Sequence, residues 1–369
     1  MKRKICFLLC LVMLTSTALT ACGGGDEGGS AANEVVFAVP SEPTTMDALT
    51  AGERITYLPV HAIHDTLLYE NADGTLSGNL VESWEMNDDG TEYTMKIREG
   101  VKFHGGQDMT VDDVVFSLQK TVENFSGQYG VITSVEAVDD THFKFTMEYA
   151  FSPILNLLAL TNASVVCKET YEADPEGYGR KPNGTGPFKF VEWVSGDRIV
   201  LERNENWWKG EVPLEKLTFR IIAEEATELI ALEAGDVDAY IQVSETNRST
   251  IESNPDLKMY STPGGQVYTL AFNNGTYSNG EESIFANNKA LRQAICYSIN
   301  KEDVVALAID NSAPPLYTPF PNFIANYPAD FDGNVYNLDE AKAKLAEAGY
   351  ADGLTVTIKT TTQSGYTKP

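Results

Sequence analysis

The chain has 369 residues, 43% of them hydrophobic, so it is long enough and apolar enough for more than one domain with a sizeable core. Lys and Arg number 27 against 53 Asp and Glu, a formal net charge of −26. An acidic surface of that size disfavours nucleic acid and anionic headgroups as partners, and by itself names no ligand.

The N-terminus is a leader. Lys2-Arg3-Lys4 is a basic start, Ile5 to Leu14 an apolar run, and Thr15 to Ala21 small and polar. That pattern is an export signal, too short for a stable membrane span. Its ending, Leu19-Thr20-Ala21-Cys22, resembles a bacterial lipobox. The resemblance implies removal of residues 1–21 and a mature chain starting at Cys22. Cys22 would then carry diacylglycerol and palmitate as a membrane anchor. Residues 22–33, rich in Gly and Ser, read as a flexible tether. Of Cys6, Cys10, Cys22, Cys167 and Cys296, only the last two lie in the body. They are too few for a disulfide framework, and two unpaired buried thiols are expected.

Val35 to Val39 is a short apolar strand ending at Pro40, followed by the loop Ser41-Glu42-Pro43-Thr44-Thr45-Met46-Asp47. Glu53 to Leu68 predicts a helix with Ile55, Leu58, Ala62, Ile63 and Leu67 inward. His61 and His64 stand one turn apart on it; with no third ligand nearby, a surface or capping pair fits better than a metal site. Asn87 to Gly90 is a turn, with Gly90 free to take positive φ. Tyr93, Met95 and Ile97 alternate with polar residues, the period of a half-buried strand. After a turn at Gly105-Gly106, Thr110 and Asp113 form a capping box for a helix with Val111, Val114, Val115 and Leu118 on one face.

Asn124 to Gly130 reads as a polar loop with two aromatics, and Val131–Val138 with His142–Met147 as a hairpin. Pro153 opens a helix through Leu160. The run Asn183-Gly184-Thr185-Gly186-Pro187-Phe188 precedes a strand rather than a helix and matches no phosphate-binding pattern. Its glycines more plausibly let the chain turn back tightly. Glu225 to Ala234 predicts a helix stopped by Gly235, with strands at Asp236–Ile241, Leu257–Tyr260 and Gln266–Asn273. Helices follow at Asn288–Ile299, after Asn300, and after Asn337 to Gly349. Pro314, Pro315, Pro319 and Pro321 mark an irregular stretch between them, and Leu354–Thr360 is a final strand.

Several of these stretches, in order, resemble the bacterial extracellular solute-binding proteins of family 5, the dipeptide, oligopeptide and nickel carriers of ABC importers. The stretches are the Glu42-Pro43 loop; LVESWEMNDDG through GVKFHGG to TVDDVVFSL; NGTGPF; VEW through RNENWW; the Glu225 helix with Gly235-Asp236-Val237-Asp238-Ala239; NKALRQAICYSI; and the Asn337 helix. The resemblance implies an α/β fold of two lobes, periplasmic-binding-protein-like (type II). Lobe one would be 34–262, with an inserted subdomain at about 55–182. Lobe two would be 263–369 and incomplete, because family members continue past this point. It also implies capture of di- and oligopeptides outside the membrane and delivery to the permease subunits. A cleft would close on the solute, the closed form being favoured by contacts only it makes. A nickel-chelate or glutathione carrier is the alternative on the same frame. The cleft-side candidates it suggests are Glu42, Thr44, Tyr57, Tyr129, Asn162 and Tyr268. No cofactor, metal or nucleic acid is called for, and a monomer is expected.

A secreted hydrolase is the distant alternative. The chain has no G-x-S-x-G and no H-E-x-x-H. Asp112-Asp113, Asp139-Asp140 and Glu224-Glu225 are sequence neighbours, a spacing that does not make their side chains converge.

Overall fold

The computed structural model describes residues 33–262, 264–265, 267–309, 311–321 and 335–359. The leader, Cys22 and most of the tether lie outside the described residues, as do Gln266 and Thr360. The chain divides into two compact units, the first ending at Gln242 and the second starting at Val243.

Unit 1 begins with β1 (Glu34–Val39), α1 (Tyr57–Ile63), β2 (Leu68–Glu70) and β3 (Leu76–Gly78). It continues with β4 (Val81–Met86), β5 (Glu92–Ile97), α2 (Val111–Asn124), α3 (Ser126–Tyr129), β6 (Ile132–Ala137) and β7 (His142–Met147). Next come α4 (Ile154–Leu157), α5 (Lys168–Ala173), β8 (Phe188–Val194) and β9 (Arg198–Arg203). Last are β10 (Lys216–Ile221), α6 (Glu225–Ala234) and β11 (Ala239–Tyr240).

The main sheet has the order β11-β1-β10-β9-β8. β1 is parallel to both of its neighbours, while β9 is antiparallel to β10 and β8. Strand residues alternate between faces, so each side of β1 meets a different layer. Val39 joins Val60 and Ile63 of α1, Ile199, Leu201 and Phe219 in one cluster. Ala38 joins Ala231 of α6, Ile222 and Val237 in another.

The insertion carries an antiparallel sheet, β4-β5-β7-β6. Tyr93, Met95 and Ile97 of β5 are buried, as are Phe143, Phe145 and Met147 of β7, while the residues between them are half-buried. Tyr93 lies opposite Phe145, with ring centroids 5.3 Å apart. Val114 and Leu118 of α2 join the same core. The capping box forms as the sequence suggests: Asp113 N donates to Thr110 Oγ1 at 3.4 Å, and Thr110 N to Asp113 Oδ2 at 2.9 Å.

Several boundaries differ from the sequence reading. The helix expected to Leu68 opens with a 3-10 turn at Arg54–Thr56 and stops at Ile63. His64 is extended, and the chain beyond it pairs with the segment after α4: Thr66 bridges Ser164, and Val165 N donates to Asp65 O at 3.1 Å. Tertiary backbone partners replace the helical ones. The helix expected through Leu160 ends at Leu157 and gives way to a 3-10 turn at Thr161–Ala163. The polar loop before the hairpin contains the short helix α3.

The glycines of the 183–188 run serve close approach. Gly186 N donates to Ile63 O at 2.8 Å. A Cβ on Gly184 would stand 2.1 Å from Ile63 O, and one on Gly186 2.7 Å from the Ile63 carbonyl.

Unit 2 contains α7 (Glu245–Ser253), α8 (Lys289–Ser298), α9 (Lys301–Ile309) and α10 (Leu338–Glu347). α7 has no counterpart in the sequence reading. Asn288 caps α8 through Leu291 N, and Asn337 caps α10 through Asp339 N and Glu340 N. α8 and α10 pack together, Asn337 N donating to Tyr297 O at 2.9 Å, and bury Leu291, Ala294 and Ala341. The strands expected at 257–260, 267–273 and 354–359 are irregular. Among the described residues no ladder takes their N–H and C=O groups, and Tyr260, Tyr268 and Ile358 are exposed. Cys167 is buried and Cys296 half-buried, and both are free thiols.

Gly184→Ala should destabilise unit 1 by about 2 kcal/mol or more, because the clash is with backbone. At Gly52 an added methyl would have nothing within 4 Å, so Gly52→Ala should be tolerated within about 0.5 kcal/mol. Denaturant titration of both variants checks the contrast.

Candidate ligand-binding site

The carboxyl ends of β1 and β10 lie side by side, Val39 opposite Ile221, with the β8–β9 turn on the same edge. Ile221 N donates to Asp197 O in that turn at 2.8 Å. The loop after β1 runs over this edge. Open α/β sheets present ligand sites outside the carboxyl ends of their strands.

Glu42 anchors the loop. Its carboxylate accepts from Trp193 Nε1 at 2.7 Å, Ser195 Oγ at 2.8 and 3.0 Å, and Gly196 N at 3.0 Å. Burial works against its charge, but the bonds from Ser195, Trp193 and Gly196 and the charge of Arg180 outweigh it and hold the carboxyl below its usual range. The Arg180 guanidinium lies over the Trp193 ring, 3.5 Å from its centroid, with Nη1 3.7 Å from Glu42 Oε1. Met46 N donates to Gly179 O at 2.9 Å, which fixes the Arg180 segment against the loop. Thr44 is exposed beside it.

Further along, Asp47 is buried and accepts from Leu49 N, Thr50 Oγ1 and Tyr171 Oη. Burial raises its pKa, against the pull of those bonds. Asp47 therefore acts as the structural pin of the loop, and Glu42 as the tie between loop and sheet.

Tyr129 and Asn162 form a second constellation, in the insertion. Tyr129 Oη donates toward Leu157 O at 2.7 Å and lies 2.8 Å from Asn162 Oδ1. Both residues are buried. Thr121 Oγ1 donates to Asn162 O at 2.6 Å, and Thr161 Oγ1 meets His61 Nε2 at 2.6 Å. Burial, and then the nearby Tyr57, push the Tyr129 phenol well above its usual range. Tyr57, Tyr129 and Asn162 are thus neighbours, and the last two are held by protein partners. Tyr57 is half-buried against the core of α1. Tyr268 belongs to unit 2 and is exposed. Cys22 lies outside the described residues.

Sequence reasoning misses Arg180 and passes over Trp193 as part of a motif. No local signal in the sequence pairs Glu42 with its donors, which come from the far end of β8 and the β8–β9 turn.

Asp65 gathers a third group. Its Oδ2 accepts from Trp208 Nε1 at 2.9 Å and Thr185 Oγ1 at 3.1 Å, with Lys209 Nζ at 3.7 Å from Oδ1. Lys209 also faces the rings of Tyr69, Trp207 and Trp208. The occupant of this cage is the protein's own cation. Among the described residues no group of His, Cys, Asp and Glu is arranged to hold a metal, and no helix is long and apolar enough to cross a membrane.

Residues 75–369 match the family model described as bacterial extracellular solute-binding proteins, family 5. The chain belongs to this family. It is 29% identical over 378 residues to the oligopeptide-binding protein AppA of Bacillus subtilis, covering 95% of this chain and 68% of that one. It is 31% identical to heme-binding protein A of Haemophilus influenzae, covering 74% of this chain and 54% of that one. The glutathione-binding protein GsiB of Pectobacterium atrosepticum is 29% identical, covering 89% and 63% respectively. Among solved structures, HbpA2 of Haemophilus parasuis superposes with TM-score 0.75 at 25% identity, covering 87% of this chain and 68% of that one. AppA of Bacillus subtilis in complex with a nonapeptide superposes with TM-score 0.71 at 28% identity, covering 90% and 65%. The chain therefore spans between about half and two thirds of the length of these relatives.

The histidines and one glutamate set opposing pH trends. Burial drives His64 from 6.5 to about 3 and His104 from 6.5 to about 4. Their contribution to stability is present above pH 6.5 and is lost as pH falls toward 4 and then 3. Burial, with Glu225 nearby, raises Glu228 from 4.5 to about 7. Its contribution is complete below pH 4.5 and is lost as pH rises through 7. Melting temperature followed across this range should show His104→Gln flattening the loss between pH 6.5 and about 4, and Glu228→Gln flattening the decline between pH 4.5 and about 7.

Proposed function

We propose that this chain is the substrate-capturing component of an ABC importer, taking up peptides outside the cytoplasmic membrane and presenting them to the permease subunits. The observation that carries the reading is the family match over residues 75–369, together with the likeness to AppA bound to a nonapeptide. The names of the relatives describe binding proteins, which supports a carrier rather than an enzyme. The exposed Thr44, the loop around Glu42 and the half-buried Tyr57 supply ligand contacts of the first lobe. Tyr129 and Asn162 serve ligand binding as a buried pair that fixes the segment after α4. Tyr268, exposed in the second lobe, is the remaining ligand-contact candidate.

The boundaries that go with this reading are a lobe at 34–262, with its insertion at about 55–182, and a second from 263 onward. Residues 1–21 are a signal peptide, and the acylated Cys22 holds a monomeric carrier to the outer face of the membrane. Glutathione is itself a peptide, so the GsiB likeness fits the same ligand class.

Thermal unfolding of the exported full chain, titrated with di- to hexapeptides, glutathione, nickel–histidine and hemin, tests the proposal. Saturable stabilisation by peptides is expected, about 2.7 kcal/mol when ligand reaches about a hundred times its Kd. Stabilisation by hemin or nickel–histidine alone would reassign the cargo, and turnover of any of these compounds would overturn the carrier reading. Mass spectrometry of the membrane fraction should find an acylated N-terminal Cys22, and Cys22→Ala should abolish it.

A further inference from the structure

We propose that Arg180, laid on Trp193 and braced by Glu42, is the anchor for a carboxylate of the bound ligand. The inference rests on the carrier reading for its biological setting, but its chemistry can be measured separately. Three observations carry it.

The first is that the guanidinium has unused donors. Among the described residues its side chain makes no hydrogen bond; its only close polar neighbour is Glu42 Oε1, at 3.7 Å. An arginine offers five N–H donors in a rigid fork that matches a carboxylate in two parallel bonds. The side chain is 53% exposed, so the fork is open to solvent.

The second is that the fork is already held in place. The contact at 3.5 Å to the Trp193 ring holds the guanidinium against the indole. Trp193 is fixed in turn by its place in the β8–β9 ladder, opposite Ile199, and by its indole bond to Glu42. A cation serving only solubility keeps its rotamer freedom. This one is laid on the indole and beside a carboxylate, contacts that restrict it.

The third is that Glu42 orients Arg180 without consuming it. Both carboxylate oxygens are occupied by neutral donors from Trp193, Ser195 and Gly196. The attraction to Arg180 is thus a field at 3.7 Å rather than a hydrogen-bonded pair, and an incoming carboxylate displaces no internal bond. The net charge of −26 is spread over the whole chain. At physiological salt its distant part is screened beyond about 8 Å, so short-range contacts at the fork decide the binding.

The cluster sits over the carboxyl edge of β1 and β10, held there by the loop that follows β1 and the β8–β9 turn. The ligand class that fits is a compound with an exposed planar carboxylate, such as the free C-terminus of a peptide.

Calorimetric titration of the full chain in mild detergent with tri-alanine and tri-alanine amide is the test. Wild type should bind the carboxylate form about tenfold more tightly than the amide. Arg180→Gln should erase that preference, and Arg180→Lys, which keeps the charge but loses the fork, should retain part of it. Equal affinity of wild type for the two peptides, or equal loss of both in Arg180→Gln, would overturn the inference. If wild type binds neither peptide, the peptide reading falls and a second measurement decides the inference alone. Acetate titration should shift the Trp193 indole NH resonance saturably in wild type and not in Arg180→Gln, and an unmoved resonance in wild type would overturn it.

Discussion

At Gly184 and Gly186 the chain has no side chain, and three parts of unit 1 meet there because of it. Gly186 N reaches the last carbonyl of α1 at Ile63, and Gly186 O accepts from His104 Nε2 at 2.9 Å and Asn204 Nδ2 at 3.0 Å. His104 N donates to Gly184 O at 2.8 Å. Between the two glycines, Thr185 Oγ1 is bonded to Asp65 Oδ2, which also takes the Trp208 indole. Helix α1, the loop at His104 and the strand region that follows the insertion are thus tied at one backbone segment. His64 is fully buried at this junction, and burial, then the nearby His104, keeps it neutral far into the acid range against the pull of the Val165 and Met46 backbone. Position of the first loop depends on the same junction, because Tyr178, just before the glycine run, stacks near Tyr171, the donor to Asp47.

That junction also explains where sequence reasoning succeeds and where it fails. Features decided within a few residues are legible. The Thr110–Asp113 box, the positive φ of Gly90, the helix stop at Gly235, the helix start at Asn288, the Asn337 cap and the alternation in β5 and β7 all involve partners nearby in the chain. Helix ends decided by distant partners are not. Nothing between 53 and 68 announces that Val165 and Gly186 will take the backbone groups past Ile63. The apolar alternation at 267–273 and 354–359 reads as strand, yet pairing needs a neighbour, and among the described residues neither stretch has one. A pattern of period two states only that a residue run is able to join a sheet.

The candidate site shows the same division. The Glu42 loop is found through its resemblance to the family, and Tyr129 and Asn162 through their placement in loops. Their geometry assigns them different work. Tyr129 and Asn162 are buried with partners for their polar atoms, the state expected of groups that specify a fold. Arg180 is the reverse: ordered, charged, exposed and, among the described residues, without hydrogen bonds from its side chain. No local pattern marks it, because its character comes from Trp193 on a strand that follows and from Glu42 on a loop that precedes it by more than a hundred residues.

Ordering a cation while leaving its donors unmet costs conformational freedom and gains little from a half-exposed aromatic contact alone. A fold that needed only to tie its first loop to its sheet already has that tie in the neutral bonds to Glu42. Folding stability therefore draws only a little on the guanidinium. What the arrangement does provide is a fixed set of donors whose orientation is settled before a ligand arrives, so that association orders one partner instead of two. In a member of a solute-binding family, an ordered and unsatisfied cation over the sheet edge is where selectivity for charge would be read, and the loop that Glu42 pins is the part of unit 1 that sets its position.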